Sequence, residues 1–378
     1  MFIKNLHSFP TAVHGKIYKD GLRLMPLEVS LADTSGISPE LIESCRQYYA
    51  FISNMLWDMY CDPKSYGFPA GELEEFLDGR KLNGVKRKFP TQVNKLRTAV
   101  YNSACVYQSF LFRLGEAGVC KGDGLHLPRE KYLTIRKDFD RELSPAKVTT
   151  ELLIPYNVRM EGFKKNGLII GEGDEVVVTS LAYPKMFPAM KALADSAKDV
   201  KTFGEENFRA CEFRQIFSKY TPKYPDVVQT LDEPQMELCD AIHAYLLSIK
   251  ARPSCTTYWK VNYKYKGDQI AQISTEGTEL KIFINGVYWW NNAMELLNSR
   301  LMAKNMVFQK YSLRNLNYCT GCSTSHEGGG FAIVLGRKVR LCGGISFRIM
   351  DPDMKQFEYI KDLITIRTEI IEELANTK

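Results

Sequence analysis

Along the chain, apolar positions switch between a helical and a strand-like period, and the switches predict the elements. Leu41, Ile42, Cys45, Tyr48, Tyr49, Ile52 and Leu56 recur three and four residues apart up to about Tyr60, the spacing of one buried helix face. Ser38-Pro39-Glu40 supplies a capping hydroxyl and a proline suited to the first helical position. Val93, Leu96, Val100, Cys105, Tyr107 and Leu111 predict a second helix over about 91–114, stopping near Gly115 and Gly118. Residues 1–37 are interrupted by Pro10, Gly15, Gly21, Pro26 and Gly36, so strand and loop are expected there.

Further on, Ser144-Pro145 predicts a helix through Leu153, and Val158 to Gly167 a second one with Gly167 past its end. Leu168–Ile170, a turn at 171–174 and Glu175–Ser180 read as a hairpin, followed by a helix around 189–197. Asp232-Glu233-Pro234-Gln235 opens a helix through Lys250 with the signature of a capping box, carrying Met236, Cys239, Ile242, His243, Leu246 and Ile249 on one stripe. His243 is read there as a core-edge histidine rather than a ligand. Trp259, Val261, Tyr263 and Tyr265 then alternate with Lys260, Asn262 and Lys264, a half-buried strand with a wet basic face. Strands over 270–274 and 280–284, a helix from Asn292 to about Ala303, a strand over 345–349 and a long helix after Asp351-Pro352-Asp353 complete the pattern.

The order predicts an α+β protein in two or three domains. A mainly helical part spans 1–125, a middle α+β part 126–230, and a C-terminal α+β part 231–378, with a mixed or antiparallel sheet, a zinc-knuckle-like hairpin and a long terminal helix. In the middle part, two helices followed by a hairpin fit a winged-helix module, whose second helix enters the major groove. Arg159, Lys164 and Lys165 are its candidate nucleic-acid contacts. Against this stand the acidic hairpin tip, Glu172 and Asp174, and the frequency of that element order in proteins that touch no DNA. The basic run from Arg80 to Lys88 is a second phosphate candidate, or a solvated loop.

The most specific chemistry lies near the C-terminus. Cys319 and Cys322 form a Cys-x2-Cys pair, His326 follows four residues later, and Cys342 stands sixteen residues beyond His326. Three thiolates and an imidazole are a ligand set that structural zinc prefers. Gly336-Arg337 as the centre of a tight turn would pair Leu335 with Lys338 and Phe331 with Cys342, bringing Cys342 to the end where His326 enters. Glu327 or water competes with His326 for the fourth place. Plain core packing of cysteines and a redox pair are the alternatives, although no strand-then-helix pattern surrounds the pair as a thioredoxin-like site requires.

Trp259, Tyr263, Tyr265, Trp289 and Trp290 form a candidate ligand pocket, for a flat molecule or for unpaired bases beside Lys260 and Lys264. The alternative is that they fill the core between sheet and helices. Catalytic signatures are lacking. Gly328-Gly329-Gly330 has no following Lys-Ser/Thr, no Gly-x-Ser-x-Gly occurs, and the five histidines are far apart.

Composition adds little. With 378 residues, 45% hydrophobic and 25% charged, the chain is an ordinary globular one, and a net charge of +6 permits an acidic partner without demanding one. Ten cysteines without a disulfide-framework spacing and no leader-like start give a cytoplasmic, reduced expectation, and no apolar run reaches membrane-spanning length.

The stretches Tyr318–Cys322, Leu335–Cys342 and Phe347–Asp353 resemble the tail of a group of uncharacterised bacterial proteins that share a Cys-x2-Cys, a later cysteine and a closing strand and helix. The resemblance covers about the last third of the chain and implies no activity. The expectation is therefore a cytoplasmic binding or regulatory protein, not an enzyme, with a structural zinc on Cys319, Cys322, His326 and Cys342. A nucleic-acid-binding regulator, and an enzyme or small-molecule sensor using the aromatic pocket, are the alternatives.

Overall fold

The computed structural model describes residues 6, 8–25, 36–68, 90–143, 156–196, 213–217, 222–257, 260–276, 279–286, 292–317, 331–340 and 344–376. The protein is α+β, with two compact units, Met1–Tyr220 and Thr221–Lys378.

The N-terminal unit begins with α1 (Ala12–Leu24), where strand and loop were expected. Gly15 and Gly21 sit inside this helix, each a local cost of about 1 kcal/mol. Burial of Val13, Ile17, Tyr18 and Leu22 offsets that cost, and Thr11 caps the first turn by accepting from the His14 amide. Helix α2 (Pro39–Cys61) starts as its sequence dictates, the Ser38 hydroxyl accepting from Leu41 N. A 3-10 turn, Pro63–Tyr66, follows. Then come α3 (Pro90–Ala117), β1 (Val119–Lys121), β2 (Gly124–Pro128), α4 (Arg129–Leu143), α5 (Tyr156–Lys165), β3 (Leu168–Ile170), β4 (Glu175–Ser180), α6 (Phe187–Ser196) and the short α7 (Arg214–Phe217).

The four strands form one antiparallel sheet in the order β1-β2-β4-β3. The expected division at 125/126 falls inside β2, which pairs with β4 from Gly124↔Thr179 to Pro128↔Glu175. The predicted hairpin at 168–180 is present, and Gly167 ends α5 at φ 84°, donating to Lys164 O. The predicted helix at 144–153 lies outside the described residues. Aromatic rings lock the unit: Phe139 of α4 meets Tyr107 and Phe110 of α3 at 5.2 and 4.7 Å, and Phe163 of α5 meets the same two at 5.1 and 5.3 Å.

The C-terminal unit is built on a six-stranded sheet ordered β5-β6-β7-β8-β12-β9. Its elements are α8 (Tyr224–Val228), α9 (Glu233–Ser248), β5 (Arg252–Thr257), β6 (Lys260–Tyr265), β7 (Asp268–Glu276), β8 (Glu279–Ile284), α10 (Ala293–Met302), α11 (Met306–Asn315), β9 (Leu316–Asn317), β10 (Phe331–Val334), β11 (Arg337–Arg340), β12 (Ser346–Met350) and α12 (Phe357–Asn376). All pairings in the sheet are antiparallel. Asp232 caps α9 by accepting from Gln235 N, as predicted. Helix α11 was not anticipated, although Asn305 caps it through the Phe308 amide. One sheet face carries Val261, Tyr263, Ile273, Ile282, Phe347 and Ile349 into a core shared with α9 and α12.

The predicted tight hairpin exists as β10–β11, but its register differs from expectation. Leu335 and Gly336, not Gly336 and Arg337, occupy the centre, with φ of 49° and 77°. Two positive φ values define the mirror-type turn that places glycine second. Val334 therefore pairs with Arg337 and Phe331 with Arg340, not with Cys342. Leu335 tolerates the left-handed conformation because its amide donates to Asn298 Oδ1 at 2.8 Å and its side chain packs on the core.

Candidate functional site

The basic residues expected to touch nucleic acid diverge in α5. Arg159 is 2% exposed, with Nη1 3.1 Å from Asp140 Oδ1. Burial lowers its pKa, with Asp140 opposing. It is thus a core cation joining α5 to α4, which corrects its assignment as a groove contact. Lys164 and Lys165 are exposed. Lys164 Nζ lies 2.7 Å from Glu161, and Lys165 Nζ 2.6 Å from Asp58 Oδ1. The hydrogen bond from Lys165 to Asp58 raises the ammonium's pKa. Asp58 also accepts from the Tyr66 hydroxyl at 2.7 Å, and that hydroxyl accepts from Asn166 Nδ2 at 2.7 Å.

The connectivity around α5 is informative. Strand β2 leads into α4 and α5, the chain returns through β3 and β4, and β4 lies between β2 and β3. The second helix and the hairpin expected from sequence are present as α5 and β3–β4, whereas the first expected helix, 144–153, lies outside the described residues and neither α4 nor β2 was anticipated. The β3–β4 turn carries exposed Glu172 and Asp174, so its tip repels phosphate.

In the C-terminal unit, His243 of α9 sits where three elements meet. Its ring stacks on Tyr224 of α8 at 3.9 Å and 6° between planes, and its Nδ1 is 2.7 Å from the Tyr263 hydroxyl of β6. Tyr224 OH donates to Asp240 Oδ1 at 2.7 Å. Burial raises the Tyr263 pKa and lowers that of His243, with Asp240 opposing. The hydroxyl and the imidazole are thus both held neutral, and the 2.7 Å contact is a hydrogen bond between uncharged partners. Asp240 lies one helical turn before His243, a spacing visible in sequence; the contact with Tyr224 has no local signal. Burial also pushes the nearby thiols of Cys239 and Cys255 up to about 12 and about 11. Both are thus held as thiols rather than thiolate nucleophiles.

Of the predicted aromatic pocket, Tyr263 is fully enclosed in the core, and Tyr265 points to α12, where its hydroxyl donates to Glu372 at 2.5 Å. Trp259, Trp289 and Trp290 lie outside the described residues, as do Cys319, Cys322, His326, Cys342 and the run 80–88. Among the described residues, no group of three or more His, Cys, Asp or Glu is placed to hold a metal ion. What the structure does define is the frame on either side of the cysteines. Asn317 pairs with Ser346 across β9 and β12, and Phe331 with Arg340 across β10 and β11.

Among the described residues no helix is long and apolar enough to cross a membrane. No protein-family model, curated protein or solved structure matches the chain.

Proposed function

We propose that this chain is a binding or regulatory protein, not a catalyst, and that a structural zinc ion on Cys319, Cys322, His326 and Cys342 braces its C-terminal unit. The observation that supports this is the pair of ladders flanking the ligands. Cys319 and Cys322 follow Asn317 by two and five residues, His326 precedes Phe331 by five, and Cys342 follows Arg340 by two. Each ligand thus stands within about 18 Å of a fixed strand end, even fully extended, at ~3.6 Å per residue. Bonds from one ion to both segments would close the chain between two ladders that are short by themselves. Metal analysis of the purified full-length protein tests it. About one zinc per chain, lost in Cys319→Ser together with several degrees of melting temperature, supports the reading; a metal-free protein that melts unchanged in chelator refutes it.

A second reading, a nucleic-acid-binding regulator, is favoured by one observation: the sheet order β2-β4-β3 with α4 and α5 between β2 and β3 along the chain, the connectivity of a winged-helix module. Its exposed cations on α5 are Lys164 and Lys165. Retention on heparin or duplex DNA that falls with salt tests it.

A further inference from the structure

The sheet of the C-terminal unit has a second face, opposite the one that packs on the helices. Register fixes its composition. Ser254 pairs with Asn262, Asn262 with Gln272, Gln272 with Phe283, and Phe283 with Arg348. These residues form one straight row across five strands, about 19 Å wide at ~4.8 Å per strand. The adjacent row adds Arg252 opposite Lys264. Arg252, Ser254, Lys264 and Arg348 are exposed, and Asn262, Gln272 and Phe283 are half-buried.

Three features of this face bear on what it binds. Its outer cations, Arg252, Lys264 and Arg348, come from three different strands. The described carboxylate side chain on the face is Glu279, at the far end beside buried Lys281 and 3.9 Å from it. In the row itself, Asn262 Oδ1 accepts from Gln272 at 2.6 Å and Gln269 at 3.2 Å, so the amides are aligned as a rank of donors and acceptors. Beside them the Arg348 guanidinium lies 5.4 Å from the Phe283 ring centroid, an aromatic and a planar cation side by side.

We infer that this face binds single-stranded nucleic acid, its phosphates meeting Arg252, Lys264 and Arg348 and an unpaired base stacking at Phe283 and Arg348. Charge complementarity names a polyanion. The flat row of amides with a ring and a guanidinium selects one with planar, hydrogen-bonding groups over an acidic polypeptide. A duplex keeps its bases stacked inward and offers nothing to Phe283. The inference is independent of zinc and of the α5 surface.

The test is fluorescence anisotropy of the full-length, zinc-supplemented protein with a labelled 20-nucleotide oligo(dT), with the matching duplex and poly-glutamate as competitors. Single-strand binding should weaken steeply between 50 and 200 mM salt. Arg252→Ala with Lys264→Ala should reduce affinity about tenfold and lower the salt slope by about 1.4, at ~0.7 per phosphate contact. Phe283→Leu should cost at least about fivefold with the slope unchanged, and melting curves will show that the variants fold. Absence of binding, equal affinity of folded variants, or competition by duplex or poly-glutamate as strong as by unlabelled oligo(dT) would each overturn it.

Discussion

The imidazole of His243 lies parallel to the ring of Tyr224, 3.9 Å away, while its Nδ1 holds the hydroxyl of Tyr263. Both contacts suit the neutral ring. Because burial depresses the His243 pKa below its ordinary value near 6.5, the folded state disfavours protonation more than the unfolded chain does. Stability is then complete above about pH 6.5 and falls as the pH drops through the folded-state value. Tyr263→Phe should remove about 0.5–1.5 kcal/mol at pH 7 and leave the decline between pH 7 and 5 in place, because burial rather than the tyrosine hydroxyl depresses the His243 pKa. Thermal melts across that range check both.

Gly162 lies inside α5, where alanine ordinarily gains about 1 kcal/mol. Here a Cβ would come within 2.5 Å of the Tyr66 ring. That ring cannot easily yield, since its hydroxyl is held by Asp58 and Asn166 and the side chain is fully buried. Overpacking of this kind costs about 1–3 kcal/mol, so the clash cancels or outweighs the propensity gain. Gly162→Ala should lower the urea midpoint of the N-terminal unit; a raised midpoint would show that Tyr66 is free to move.

Arg159 and its neighbours on α5 separate stability from binding. Arg159→Ala removes the cation from a buried pair with Asp140. It should cost about 2–3 kcal/mol, below the full buried-pair figure because Asp140 is half exposed. Arg159→Met, which keeps the packing, should leave heparin retention unchanged. Lys164→Gln with Lys165→Gln should instead leave stability within about 0.5 kcal/mol and elute at lower salt if α5 meets phosphate.

These residues also mark how far the sequence carries. Ser38-Pro39 and Asp232-Glu233-Pro234 announced their helices because a cap is a local device, read from three or four adjacent residues. The alternation at Val261 and Tyr263 announced β6 and placed both on the core face for the same reason. Helix α1 was hidden by Gly15 and Gly21, whose local cost is overridden by burial against distant elements. Helix α4, mostly polar, buries Ile135 and Phe139, too narrow a stripe to stand out. The hairpin was found but shifted, because a single glycine fits the first place of one tight turn and the second place of another. Arg159 looked like a surface cation because its partner, Asp140, is nineteen residues away. The Cys/His set was read from its spacing alone and lies outside the described residues, which include only the flanking frame, the Asn317–Ser346 and Phe331–Arg340 pairs.

That frame makes the cysteines unequal in their expected effects. Cys342 follows β11 by two residues, so a metal bond there would tie the hairpin to the segment after β9. Cys61 is exposed at the end of α2 in the other unit and has no such role. Cys342→Ser should therefore release zinc and lower the melting transition of the C-terminal unit by about 6–12 °C. That range corresponds to ~3 kcal/mol at 2–4 °C per kcal/mol for a unit of this size. Cys61→Ser should stay within about 0.5 kcal/mol of the parent. Zinc content and differential scanning calorimetry on the same preparations decide the matter. If both serine variants keep full metal and melt alike, Cys342 is not a ligand. If Cys342→Ser alone loses the metal yet melts unchanged, the ion is bound without bracing the fold.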